Sequence, residues 1–445
     1  MKHFFVLSFL LGFQYVFAQA GLFTYRADDR ANSVSGLRVP YEVERKVDSL
    51  VNDAVQQEAF PGAQLLVAKE GEVIFHKTYG FHTYDSLQPV SHTDLYDLAS
   101  VTKISGPLPA LMKLVGEGEI DLDVPFSKYW KPWKRRSDKR DITLREILAH
   151  QAGLQPYIVF VKELYKKNGK FKRRFIRNES SKRFPVKISD TLFLHRRFKK
   201  KVYRIINRSE VSGEKEYRYS GLSFLIFPEI IEEVTGVPYE SYVKNEIYRP
   251  IGADDLIFNP EGHYPNDKIV PTEIDTIFRK KLVRGSVHDE NASLMGGVSG
   301  NAGLFGTAGD LAKLMQLYLQ QGVFDGAPLI DPFAVNEFRE VQFPDNDNRR
   351  GLGFDKPLLD NKDRSLEDAY PAPDSSMQSF GHAGFTGTFV WADPEGDWVF
   401  VFLSNRVYPD RGHRSLYTLK IREKLMQVFY DGFPDADSRI IPARK

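Results

Sequence analysis

Apolar residues fall at helical spacing soon after a loose start to the chain. Val43, Val47, Leu50, Val51 and Val55 share one face of a segment from Pro40 to Phe60, which predicts an amphipathic helix. Two apolar runs follow, Ala63 to Val67 and Val73 to Tyr79, around the turn sequence Lys69-Glu70-Gly71-Glu72, the pattern of a β-hairpin. Helical spacing returns from Ser100 to about Val115, from Thr143 to His150, and from Leu222 to Thr235, the last closed by Gly236. Glycine becomes dense from Gly296, and Thr307 to Gln320 is again helical. A second hairpin is predicted over Thr386 to Ala392 and Trp398 to Asn405, turning at Asp393-Pro394-Glu395-Gly396, before a last helix from Ser415 to Tyr430.

This order predicts an α/β (α+β) fold in which both hairpins join one antiparallel sheet flanked by the terminal helices. The sheet unit is expected to be discontinuous, 19–99 with 296–435. Residues 100–295 form the predicted inserted, mostly helical domain, which carries a basic insertion at 157–215. Clefts between such units are where ligands usually sit. A length of 445 residues suits that organisation.

Three features of composition sharpen the picture. Lys2 and His3 precede an apolar run from Phe4 to Phe17 and a small residue at Ala18, which predicts a secretory signal peptide over 1–18 and a periplasmic or secreted product. The run is shorter than the ~20 residues of a membrane span, and no later stretch is apolar enough, so no transmembrane segment is expected. Cysteine is absent, which excludes disulfides, a lipoprotein anchor, thiolate catalysis and cysteine-ligated zinc. Net charge is +2, yet between Val161 and Ile205 seventeen lysines and arginines face three acids. Such segregation marks either a surface for an acidic partner or a solvated insertion. Without a recognisable binding module, nucleic acid is not expected as a partner.

Candidate chemistry begins with Ser-x-x-Lys, which occurs as Ser100/Lys103, Ser212/Lys215 and Ser241/Lys244. Ser100 alone opens an apolar helix, with Leu108, Ala110, Leu111, Met112 and Leu114 following. A spacing of three puts both side chains on one helical face. A serine hydroxyl needs a base, and a lysine serves only when neutral, a form that burial favours. The alternative for Ser100 is a plain N-cap. Pro107 deprives the Lys103 carbonyl of its usual donor, so a bend just past the base is expected. Tyr219, in Tyr219-Ser220-Gly221, is a candidate proton relay. Gly381-His382-Ala383-Gly384-Phe385-Thr386-Gly387-Thr388 enters a predicted strand whose N–H groups suit an oxyanion.

Ser100-Val101-Thr102-Lys103, Tyr219-Ser220-Gly221 and His382-Ala383-Gly384 resemble, in order, the three motifs of class C β-lactamases and related penicillin-binding proteins. The likeness extends over roughly residues 40 to 430, through Leu148 to Leu154, Val287 to Glu290, Gly296 to Phe305 and Ser404 to Pro409. These blocks resemble the branch fused to family 3 β-N-acetylglucosaminidases in Bacteroidota, and muropeptide amidases that strip the peptide from N-acetylmuramic acid. The resemblance implies a β-lactamase/transpeptidase-like fold and a covalent acyl-enzyme on Ser100. Lys103 and Tyr219 would share the proton work, and the N–H groups of Ser100 and Phe385 would form the oxyanion hole. Two positions depart from the pattern. Gly221 stands where Asn or Asp is usual, and His382 stands where many β-lactamases have Lys.

Among the remaining candidates, Ala383 and Gly384 are expected to line the substrate site, with His288 as a substrate contact or loop brace, Asn301 as cleft lining or turn residue, and Arg406 as partner of a substrate carboxylate or of a surface ion pair. His150 is expected to brace the turn before Gly153. His288, Asp289 and Glu290 are adjacent, and adjacent ligands rarely converge on an ion, so neither metal nor cofactor is expected. The expectation is an exported serine acyl hydrolase acting on amide bonds of small or peptidoglycan-derived substrates. An esterase or weak β-lactamase with the same machinery, and a catalytically silent binding module, are the competing readings.

Overall fold

The structure, a computed structural model, describes residues 37–433, so the predicted signal peptide lies outside the described residues. Helix α1 (Tyr41–Gln56) buries Val43, Val47, Val51 and Ala54 along one stripe. Strands β1 (Gly62–Lys69) and β2 (Glu72–Gly80) follow, joined through Glu70 and Gly71 at φ 53° and 77°. Two consecutive left-handed residues are what a two-residue hairpin with the native strand twist requires.

The predicted continuous helix from Ser100 is broken. Ala99–Val101 is a 3-10 turn, α2 (Thr102–Ser105) continues it, and α3 (Pro107–Gly116) starts afresh after Gly106 at φ −103°, ψ −86°. The expected bend past Lys103 is therefore a full break. Pro107 occupies the first helical position, where its missing N–H costs nothing.

The middle of the chain carries α4 (Phe198–Arg208), α5 (Phe227–Thr235, closed by Gly236 at φ 71°) and several shorter helices. It also holds more strand than expected. Ile176–Arg177, Val186–Ser189 and Leu192–Leu194 form a three-stranded sheet within the basic insertion, and Glu273–Asp275 pairs with Lys281–Val283. Period-two burial of Val186 and Ile188, and of Leu192 and Leu194, was the overlooked signal. Ile176, Ile188, Leu194, Val202 and Ile206 join the main core, so the insertion is built onto it.

After α6 (Ala308–Leu319), strands β3 (Phe380–Ala383), β4 (Phe389–Asp393) and β5 (Trp398–Ser404) lead to α7 (Ile421–Gly432). The His382 motif is thus itself a strand, where the sequence suggested only an approach to one. The five strands make one antiparallel sheet in the order β3-β4-β5-β1-β2. Leu65, Val67, Trp398, Phe400 and Phe402 face α1 and α7, while Leu66, Val399, Val401 and Leu403 face the core beneath α2, α3 and α6. Both faces are covered, which is why β5 is buried along its whole length. The edge strand β3 ends beside α2, and that junction positions the site.

Candidate active site

Ser100 sits in the 3-10 turn just before α2, half-buried, and Lys103 is buried one turn on. The turn is held under tension. Ala99 has φ 45°, a left-handed conformation that costs a residue with a Cβ about 1–2 kcal/mol. Asp97 secures it, because its Oδ1 accepts the Ala99 N–H at 2.9 Å and its Oδ2 the His288 N–H at 2.6 Å. The amine of Lys103 lies 2.9 Å from Ser100 Oγ and 2.9 Å from the Asn301 carbonyl. Asn301 therefore contributes its backbone to this contact. Its side chain accepts from Ser299 and donates to Asp289 within the glycine-rich loop.

The other two Ser-x-x-Lys pairs are not assembled. Ser212 lies in an exposed loop, where Lys215 pairs with Glu146, and Ser241 and Lys244 lie at the surface around the short helix Tyr239–Val243.

Tyr219 joins Ser100 and Lys103. Its ring centroid is 5.6 Å from the Lys103 amine, 4.4 Å from the His150 ring and 6.2 Å from the His382 ring. Gly221, two residues on, leaves space, since a Cβ there would meet one atom within 4 Å, Lys103 Cε at 3.9 Å. The C-terminal end of β3 closes the other side. Thr386 and Thr388 donate their hydroxyls to the carbonyls of Asp97 and Leu98 at 2.7 and 2.9 Å, pinning the strand end to the nucleophile turn. At Gly384 any side chain would overlap Thr388 Oγ1 and the Leu98 carbonyl, so only glycine permits this approach. The backbone just before Phe385 is thereby held against Leu98 and Ala99, the residues that lead into Ser100.

The two histidines at the site differ in proton placement, and their partners assign it. His382 is buried, with Nδ1 2.8 Å from the Ala383 carbonyl, so Nδ1 carries the proton and Nε2 is a lone pair without a partner. Burial, aided by the positive charges of Arg350 and Lys103, pulls its imidazole down to about 3. His150 is reversed. Its Nδ1 accepts the Ser220 N–H at 3.2 Å, leaving the proton on an unpartnered, buried Nε2. Burial first, then Arg350 and Lys103, holds His150 well below the ordinary histidine range. Its φ of 57° and this hydrogen bond make it a brace for the Tyr219 segment, beyond the local turn expected of it.

Arg350 was missed by sequence reasoning. It is 2% exposed, its guanidinium bonded to the Gly353 carbonyl and 3.0 Å from Asp355, with its centre 5.7 Å from the Tyr219 ring. Burial would raise Asp355, but Arg350 and Arg349 hold its carboxyl below the usual range.

Two of the expected lining residues, His288 and Arg406, are buried behind Phe385. His288 is buried, with Nε2 2.8 Å from Glu273 and its ring stacked on Phe385 at 5.9 Å. Burial opposes ionisation of Glu273, yet hydrogen bonds from His288 and Arg411 outweigh it and set the carboxyl at about 2. Arg406 is neither in the cleft nor at the surface. It is fully buried, donates to Tyr417 and to the carbonyls of Arg411 and His413, and lies 4.5 Å under the Phe385 ring. It supports the half-exposed Phe385 from below. The physical reason is the turn after β5, whose carbonyls and Tyr417 hydroxyl take the guanidinium N–H groups, although burial still lowers its pKa.

The profile described as "Beta-lactamase" matches residues 47–423. The "Putative D-alanyl-D-alanine carboxypeptidase" of Salmonella heidelberg is 31% identical over 372 residues, 78% of this chain and 79% of that protein. Among solved structures, EstCE1, a hydrolase with promiscuous acyltransferase activity, is similar with a TM-score of 0.62 at 18% identity, covering 86% of this chain and 98% of that one. A penicillin-binding protein homologue from Caulobacter crescentus gives 0.61 at 18% identity, covering 89% and 99%. Likeness at that identity speaks for the fold alone. Among the described residues no helix is long and apolar enough to cross a membrane.

Proposed function

The chain belongs to the β-lactamase family of serine hydrolases, and from that premise we propose that it is an exported acyl hydrolase that cleaves amide bonds in peptidoglycan fragments. The observation that carries the proposal is the Lys103 amine held 2.9 Å from Ser100 Oγ and braced by the Asn301 carbonyl. In its neutral form that amine takes the Ser100 proton as Oγ attacks the acyl carbon. The N–H groups of Ser100 and Phe385 receive the developing oxyanion. Tyr219, beside Lys103, returns the proton to the leaving nitrogen, and water then releases the acyl group by the reverse path. In this reading the cleft lies between the discontinuous sheet unit and the middle of the chain.

The substrate assignment rests on His382 and on sequence blocks outside the three motifs. A neutral imidazole brings no positive charge to neutralise a substrate carboxylate. Together with the resemblance to muropeptide amidases, this favours an amide bond flanked by glycan or peptide over a terminal carboxylate. Gly221 supports a second reading, ester hydrolysis, because it offers no side chain to an acylamino group. Mass spectrometry of a muropeptide digest decides between them. Free stem peptide and peptide-free glycan, formed by the wild type and not by Ser100→Ala, is the expected result. An untouched digest alongside rapid short-chain ester turnover would establish the esterase.

A further inference from the structure

The basic insertion stands apart from the chemistry at Ser100. Lys166, Lys167, Lys170 and Arg173 are exposed on the loop after Leu164, and no ion-pair partner is found for them among the described residues. Arg196, Arg197, Lys200, Arg204 and Arg208 continue the exposed charge along and just before α4. Of the three acids in the segment, Glu163 is taken by Lys201, and Asp190 by Lys187 and Lys281. A recess of about 810 Å³ opens among Lys166, Lys170, Arg173 and Arg177, with Glu179 on its wall. Partial burial, then the charges of Arg197, Arg196 and Arg183, keeps the His195 imidazole below its ordinary value, as a concentrated positive field would.

What this face lacks narrows the partner. A specific protein interface needs aromatic or aliphatic anchors, and the exposed ones of the insertion, Tyr157 and Val159, lie at its cleft-side root near Asn291, whereas from Phe160 to Ser212 no large hydrophobic residue is exposed. A single-stranded nucleic acid needs open aromatic faces for its bases, whereas Arg174 and Lys201 lie over Phe175, and Arg177 over Phe184. What remains is diffuse charge over a broad face, complementary to a surface that is itself uniformly anionic. We propose that the outer face of the insertion docks the protein on an anionic phospholipid bilayer. The insertion is rooted at the rim of the cleft, where Gly221 donates to the Pro156 carbonyl and Asn291 to that of Ile158. Docking therefore sets the cleft next to the lipid surface.

Vesicle co-sedimentation of the full chain tests this, with phosphatidylcholine alone and with phosphatidylcholine doped with phosphatidylglycerol. Binding to the doped vesicles only is expected, and its loss as the Debye length shrinks to about 3 Å near 1 M salt. Each basic residue near an anionic bilayer is worth about fivefold in partitioning. Combining Lys166→Gln, Lys167→Gln, Lys170→Gln and Arg173→Gln should thus cost about two to three powers of ten, while ester hydrolysis in solution and the melting temperature stay unchanged. The three lysines changed to Arg should keep binding. Equal binding to both vesicles, as an apolar leader would give, overturns the proposal. So does a neutralised variant that binds like the wild type, or tight capture of duplex DNA with both vesicles ignored.

Discussion

Gly221→Asn asks how the substrate's acylamino group is held. In the β-lactamases that this chain resembles, a side chain at this position binds that amide, and here there is none. The site has room for one. A Cβ would sit 3.9 Å from Lys103 Cε, an ordinary contact, with no other heavy atom within 4 Å, and Gly221 is not at positive φ. Its N–H is already bonded to the Pro156 carbonyl, so the backbone has little reason to move. A buried amide left unpaired costs about 1–3 kcal/mol, or roughly one to two powers of ten in acylation rate. Stopped-flow acylation by a chromogenic cephalosporin, with a short-chain nitrophenyl ester in parallel, measures the difference. Wild type should be slow with the cephalosporin, and Gly221→Asn should speed it by about that factor with much less effect on the ester. Wild-type cephalosporin turnover as fast as its best ester would refute the reasoning. So would a variant that slows both substrates equally while melting at the wild-type temperature.

Three further outcomes follow from the site. A fluorophosphonate probe should add one adduct to the peptide containing Ser100, absent in Ser100→Ala; labelling at Ser212 or Ser241 would reassign the nucleophile. Lys103→Arg keeps the charge but cannot act as a base, so turnover should fall by about two to four powers of ten, and wild-type-like rates would remove Lys103 from the chemistry. His382 titrates at about 3 when folded against ~6.5 when unfolded, so unfolding takes up a proton between those values. Stability should therefore fall as pH drops from ~6.5 towards 3, by up to about 4–5 kcal/mol from this group, and be flat with respect to it above ~6.5. Urea titrations of His382→Gln should show a shallower acid slope than wild type, and identical slopes would place the imidazole in solvent.

Much of the site was legible because its members are local or motif-bound. The spacing of Ser100 and Lys103 fixes their contact through helical geometry, even though the helix breaks at Gly106 immediately afterwards. The two hairpins announced the sheet through period-two apolar runs. Their joining in one sheet was the simplest assembly of the predicted elements, and the register, Leu65 opposite Phe402, comes from the structure alone. The roles of long polar side chains were not legible. An arginine after a strand looks like a ligand-binding residue until the carbonyls of Arg411 and His413 are seen to solvate it. Arg350 sits in a stretch with no motif and reaches Tyr219 only through the fold.

Arg350 also explains a feature that the sequence alone makes puzzling. A histidine in place of lysine at position 382 looks like a weakened cation. In the folded chain a permanent cation beside Tyr219 is Arg350, held buried by Asp355. A further charge at 382 would be buried beside Arg350, with Asp355 already shared between Arg349 and Arg350, and burial followed by Arg350 is what drives His382 neutral. The exchange frees the position to act as an acceptor. His382 Nε2 and the His150 Nε2–H then stand near Tyr219 as an acceptor and a donor of opposite polarity, both without partners among the described residues. Buried groups of that kind are costly unless something pairs with them, so this enclosed pair stores a cost that the packing around Tyr219 has to offset.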